Sequence, residues 1–153
     1  MKFPFYSIAA YFMYMIITCS CKKQSPIVVS SYVDISYMDN NNSDLLDSLN
    51  KTYFSEHDIK TFNIVEGKKV EIYNGSSYPR NFFLYKNDVK RKYYMRVFIE
   101  EDSMVLQLNS QKYDTITSLI EKNSGSRRVT QIWYNGKLMW KMEDGSPMFT
   151  IQE

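Results

Sequence analysis

Few residues of this chain have the type and spacing to do chemistry. The only histidine is His57, in Ser55-Glu56-His57-Asp58. Beside two acids it has the makings of a general base, and serines are plentiful. No Gly-x-Ser-x-Gly elbow accompanies it, however, and a catalytic triad is a matter of three-dimensional geometry. The tetrapeptide reads as an exposed turn. Glu100-Glu101-Asp102 offers carboxylates but lacks the oxygen-ligand loop of a calcium site, and reads as a charged turn. With one histidine and no cysteine beyond residue 21, the chain has almost nothing with which to hold zinc. The expectation is no catalytic residue, no metal and no cofactor.

Two further groups could bind rather than react. Lys90, Arg91, Lys92 and Tyr94 mix cations with an aromatic ring, the combination that single-stranded nucleic acid uses. Three charges at the start of a strand also serve to discourage edge-to-edge association. An anionic lipid head group or a glycan is the bolder reading of these four residues. Trp133 and Trp140 could form a sugar-stacking platform. Placed on one face of a hairpin with Leu138 and Met142, they read instead as core.

Both cysteines lie in Thr18-Cys19-Ser20-Cys21-Lys22-Lys23. Cys-x-Cys is too close for an unstrained disulfide, and no histidine stands near to complete a metal site. Upstream, Lys2 is followed by a run from Phe3 to Ile17 without charge. A charged start, an apolar centre and a small-residue exit make the plan of an export signal. At about 15–18 residues the run is short of the ~20 that a spanning helix needs. The exit resembles the lipobox of bacterial lipoproteins, in which a small residue precedes a cysteine that receives diacylglycerol before cleavage. The resemblance covers only the first twenty-odd residues. It places Ser20 at the small position and Cys21 as the lipidated residue. Thr18 stands where the pattern carries a Leu-like residue, which leaves Cys19 as the alternative; Ile16 suits its third position back, while Thr18 would then border the cut. The implied organisation is a signal peptide over 1–20, a tether over 21–26 and a single globular domain over 27–153.

The bulk composition limits the partners. Net charge is +2, and Lys2 is the sole charge among the first twenty residues, so the remainder is nearly neutral, with acids and bases interspersed. That is no footprint for nucleic acid. Aromatics reach 16 %, thirteen of them tyrosine, which leans toward strands and half-buried surfaces.

The elements that must position these groups are mostly strands. Tyr32 onward alternates and is rich in β-branched residues, continuing a run that opens at Ile27. Ser43 heads a segment in which Leu45, Leu46, Leu49 and Tyr53 recur at helical spacing. Thr61–Val65 and Lys69–Tyr73 flank Glu66-Gly67 as a hairpin, and Asn81–Tyr85 is a short strand. Val97 and Ile99 match Leu106 and Met104 across a four-residue loop, giving a second hairpin. Tyr113, Ile116, Thr117 and Ile120 predict another helix, capped by Asn109 or Ser110. Val129–Tyr134 and Lys137–Met142 flank Asn135-Gly136, the strongest short-range hairpin signal; a two-residue turn pairs Trp133 with Leu138 and Gln131 with Trp140. Met148–Gln152 is a last strand. The expected fold class is α+β: a β-dominated antiparallel meander with two short helices packed on one face.

Together these readings predict a non-enzymatic envelope lipoprotein. It would be lipid-anchored to a bacterial membrane, the outer one favoured, with its body outside the cytoplasm. A protein or glycan of the envelope would be its partner, and nucleic acid would not. A periplasmic immunity or inhibitor protein that blocks a toxin or hydrolase is the alternative, and a carboxylate-based hydrolase comes third.

Overall fold

The computed structural model describes residues 31–75, 77–123 and 126–153. The signal, the lipobox-like cysteines, the tether and the Ile27–Ser30 start of the first predicted strand lie outside these residues. Ten strands follow in order: β1 (Tyr32–Met38), β2 (Lys60–Val65), β3 (Lys68–Glu71), β4 (Phe82–Asn87), β5 (Lys92–Phe98), β6 (Ser103–Gln107), β7 (Tyr113–Asn123), β8 (Ser126–Tyr134), β9 (Lys137–Lys141) and β10 (Met148–Gln152). A 3-10 turn, Met142–Asp144, leads from β9 toward β10.

The strands form two sheets. The smaller has the order β10-β1-β5-β4 and the larger the order β3-β2-β6-β7-β8-β9. All pairings are antiparallel except β1 with β10, which run parallel from Asp34↔Met148 to Met38↔Gln152. Val33, Ile35 and Tyr37 of β1 are wholly buried, together with Met95 and Val97 of β5. They share one core with Met104, Leu106, Ile116, Ile132, Tyr134 and Trp140 of the larger sheet. Residues of period two from each sheet therefore meet in a single apolar layer.

The α+β expectation is wrong: among the described residues there is no α-helix, and the fold is two sheets. In the segment after Ser43 the chain folds on its own side chains. Asp44 Oδ1 accepts the amide of Leu46 at 2.9 Å, Asp47 Oδ1 that of Leu49 at 3.0 Å, and Asn50 Oδ1 that of Thr52 at 3.1 Å. Three such Asx turns in succession capture the amides that a helix would need. Leu45 and Leu46 enter the core while Leu49 is 90 % exposed, so the leucines share no face.

The second expected helix is β7. Asp114, Ile116 and Ser118 are buried while Tyr113, Thr115 and Leu119 face out, a period of two. Thr115, Ile116, Thr117 and Ile120 carry branched β-carbons that suit a strand, and β6 and β8 flank it on both sides. Asn109, the expected cap, does accept the amides of Gln111 and Lys112, both at 2.9 Å. It shapes the turn into β7 instead of starting a helix.

Two pairings also differ. Val97 pairs with Val33 and Phe82, whereas Leu106 pairs with Thr61 and Asp114. Glu100–Asp102 is thus a crossover between sheets, and the matching aliphatic faces meet through the core rather than along a ladder. In the last hairpin, Trp133 pairs with Leu138 as expected, but Trp140 pairs with Ile132 because the register shifts between Ile132 and Trp133. The β2–β3 and β8–β9 hairpins stand where the sequence puts them. Asn135 and Gly136, at φ 49° and 77°, supply the paired left-handed residues of a type I′ turn.

Candidate functional site

The outer face of the smaller sheet carries a connected polar group. Asp34 of β1 lies directly opposite Arg96 of β5. Arg96 Nε donates to Asp34 Oδ1 and Nη2 to Oδ2, both at 2.8 Å, the two-pronged geometry that suits guanidinium and carboxylate. The Tyr85 hydroxyl donates to Asp34 Oδ2 at 2.9 Å. The Asp34 side chain is 4 % exposed and that of Arg96 28 %. The carboxylate is thus a buried anchor, and the guanidinium reaches solvent.

Aromatic rings frame this pair. The Arg96 guanidinium carbon is 3.9 Å from the centre of the Tyr32 ring and 5.3 Å from that of Tyr85, within cation–π range. Tyr78 stacks on Phe83 at 4.5 Å and on Phe98 at 5.2 Å, and Tyr85 on Tyr94 at 5.9 Å. Burial and the donated bond to Asp34 push the Tyr85 hydroxyl up to about 12. The bond to Asp34 raises Arg96 still further above its usual range. Tyr85 is therefore a fixed proton donor and Arg96 a permanent cation whose charge Asp34 balances. The Arg96 side chain keeps 28 % of its surface in solvent. Rigid aromatic rings around a partly exposed guanidinium are features that interface hot spots share. Beside Tyr32 opens a cleft of about 240 Å³, lined also by Ser31, Arg128, Trp140, Met142 and Pro147.

A second polar group is sealed inside. The hydroxyls of Tyr37 and Tyr134 lie 3.0 Å apart in the core. Asp114 Oδ1 accepts from Asn135 Nδ2 at 2.6 Å, while Oδ2 has no hydrogen-bond partner among the described residues. Burial above all drives both tyrosines far above their ordinary range, and the Asp114 charge adds to it.

The residues singled out by sequence fall in several places. His57 lies exposed in the turn before β2, where Arg80 Nη1 donates to the carbonyls of Glu56, His57 and Ile59 at 2.9, 3.3 and 3.0 Å. These bonds hold its backbone and bring no carboxylate to its ring. Among the described residues no three His, Cys, Asp or Glu side chains converge as metal ligands. Lys90, Arg91, Lys92 and Tyr94 do not form one open patch. Tyr94 is 3 % exposed, and Lys90 Nζ sits 5.9 Å above its ring and 2.9 Å from Met148 Sδ. A ring so covered has no face left for a base. Cys21 and Cys19 lie outside the described residues.

Sequence reasoning passed over Asp34, Arg96 and Tyr85. Their signal was a lone acid in the otherwise uncharged run Tyr32-Val33-Asp34-Ile35-Ser36-Tyr37, and a lone base within Tyr94–Phe98. Each needed a partner of opposite sign. No protein-family model, no curated protein and no solved structure matches the chain.

Proposed function

We propose that this chain is an envelope lipoprotein, held at a bacterial membrane by acyl chains on Cys21, whose two-sheet body is a non-enzymatic binding module outside the cytoplasm. The observation that carries the anchor is the placement of sulfur. The only two cysteines stand at the exit of an uncharged apolar run, and none occurs in the 132 residues after Cys21. At about 0.8 kcal/mol per buried methylene, several acyl chains on one terminus hold stably where a single one does not. Among the described residues no helix is long and apolar enough to cross a membrane.

From Cys21 to Ser31 the chain spans at most about 35 Å when fully extended. An anchored body would therefore work close to the bilayer. The surface we assign to its partner is the Arg96 face, where Tyr32, Phe83 and Tyr85 stand half-buried around a partly exposed guanidinium. Cell fractionation of Cys21→Ser and Cys19→Ser tests the anchor. The account expects Cys21→Ser to leave the membrane pellet and Cys19→Ser to stay. Normal maturation and sedimentation of Cys21→Ser would overturn it.

A further inference from the structure

Tyr-Asn-Gly occurs twice in the chain, as Tyr73-Asn74-Gly75 and Tyr134-Asn135-Gly136. Asparagine is a thermally labile residue, and most so before glycine, whose missing side chain leaves its backbone nitrogen unhindered. That nitrogen attacks the side-chain amide carbon of the asparagine, and ammonia leaves. Water then opens the resulting succinimide to aspartate or to its β-linked isomer, isoaspartate. The two tripeptides are identical, so local sequence gives them the same reactive group. The fold decides between them.

Exposure alone would favour Asn135, since Asn74 is half-buried. Asn135, however, is clamped. Its Oδ1 accepts the Thr115 amide at 2.7 Å and the Thr115 hydroxyl at 3.2 Å, and its Nδ2 donates to Asp114 Oδ1 at 2.6 Å. Its own amide donates to the Thr115 carbonyl at 2.9 Å, and the turn joins two paired strands. Attack there has to break the side-chain clamp and the left-handed turn together. Asn74 and Gly75 belong to no strand and lie in the connection from β3 to β4. Gly75 is exposed, its φ lies outside the left-handed region, and a Cβ there would meet nothing within 4 Å. The backbone around the attacking nitrogen therefore has room to turn. The bond from the Asn74 amide to the Pro79 carbonyl, 2.8 Å, does not involve that nitrogen. We infer that Asn74 is a site of spontaneous deamidation and that the fold protects Asn135. The reagents are water and the chain itself. The product adds a negative charge and, in the β-linked form, a backbone methylene to the loop that carries Tyr78. Tyr78 stacks on Phe83, which lies 5.8 Å from the Arg96 guanidinium, so the change falls beside the face assigned to the partner.

The inference depends on neither the lipid nor that partner. The experiment is incubation of the detergent-extracted protein at neutral and mildly alkaline pH, followed by peptide mass mapping and isoaspartate methylation. The peptide holding Asn74 should gain the mass of an amide-to-acid exchange and become a substrate for isoaspartyl methyltransferase. It should do so faster at the higher pH, because attack needs the glycine nitrogen deprotonated. The Asn135 peptide should stay intact in the folded protein and react at a rate similar to that of Asn74 once urea unfolds the chain. Gly75→Ala has room for its methyl, so the fold is kept, but the methyl crowds the attacking nitrogen and should slow the Asn74 reaction about tenfold. An Asn74 peptide that stays intact, an Asn135 peptide that reacts as fast in the folded protein, or a Gly75→Ala variant that reacts like the parent would each overturn the inference.

Discussion

Arg96 holds both carboxylate oxygens of Asp34 at 2.8 Å from the strand next door, so a charge that is almost fully buried has a partner that is not. The asymmetry decides what mutation does. Removing the guanidinium strands a buried carboxylate, whereas removing both groups leaves only a gap to fill. Arg96→Ala should cost about 3 kcal/mol, measured as a shift of the urea midpoint. The double change Asp34→Leu with Arg96→Met should recover most of that loss. A double variant as unstable as Arg96→Ala would show that packing of the arginine stem, not the charge pair, is what matters.

Alkaline pH probes the same cluster. The Tyr85 hydroxyl is raised to about 12, above the ordinary value near 10 that it regains on unfolding. A raised folded-state value means that its contribution to stability is complete below about pH 10 and drains away as pH climbs through about 12. Tyr37 and Tyr134 are raised in the same direction by burial and add to the loss above pH 10. Denaturation midpoints taken between pH 8 and pH 12 should therefore fall, and Tyr85→Phe should fall less steeply. An equal slope in the variant would show that Tyr85 does not carry this linkage.

The two tryptophans should differ in stability as they differ in place. Trp140→Ala opens a hole in the core and should cost about 3–5 kcal/mol. Trp133→Ala, on the outer face, should cost about 1 kcal/mol. Thermal unfolding followed by circular dichroism separates the two, and equal losses would contradict the register assigned to β9.

Asp44 ties the irregular segment to the sheet. Its Oδ1 accepts the Leu46 amide at 2.9 Å and its Oδ2 the Tyr93 amide at 2.7 Å. Asp44→Ala leaves both amides unmet and should cost about 2 kcal/mol, while Asp44→Asn, which keeps one acceptor, should cost less. Hydrogen exchange at Tyr93 should accelerate in Asp44→Ala. Unchanged protection there would rule the contact out.

How far the fold could be read in advance follows from where the determining contacts lie. The Glu66-Gly67 and Asn135-Gly136 hairpins were legible because their signals are local: two residues with positive φ between β-rich runs. The β7 error has the opposite cause. Tyr113, Ile116, Thr117 and Ile120 fit a helical stripe, yet Asp114 and Ser118 also turn inward once β6 and β8 supply ladders on both sides, and long-range pairing outweighed the local period. The leucines after Ser43 misled for a local reason, since aspartate and asparagine every third residue compete for the helix amides. The Val97–Leu106 match was genuine as a shared core and wrong as a ladder, because complementary faces cannot say whether they meet edge to edge or sheet to sheet. The Asp34–Arg96 site spans 62 residues, and no spacing rule reaches that far. The Trp133 face depended on one register shift, which two residues of turn could not announce.

The anchor remains the point on which the functional account stands, and intact mass of the protein extracted from membranes tests it most directly. The account predicts a polypeptide beginning at Cys21, with residues 1–20 gone and diacylglycerol plus acyl mass added. An uncut chain of unmodified mass, still found in the membrane fraction, would contradict it.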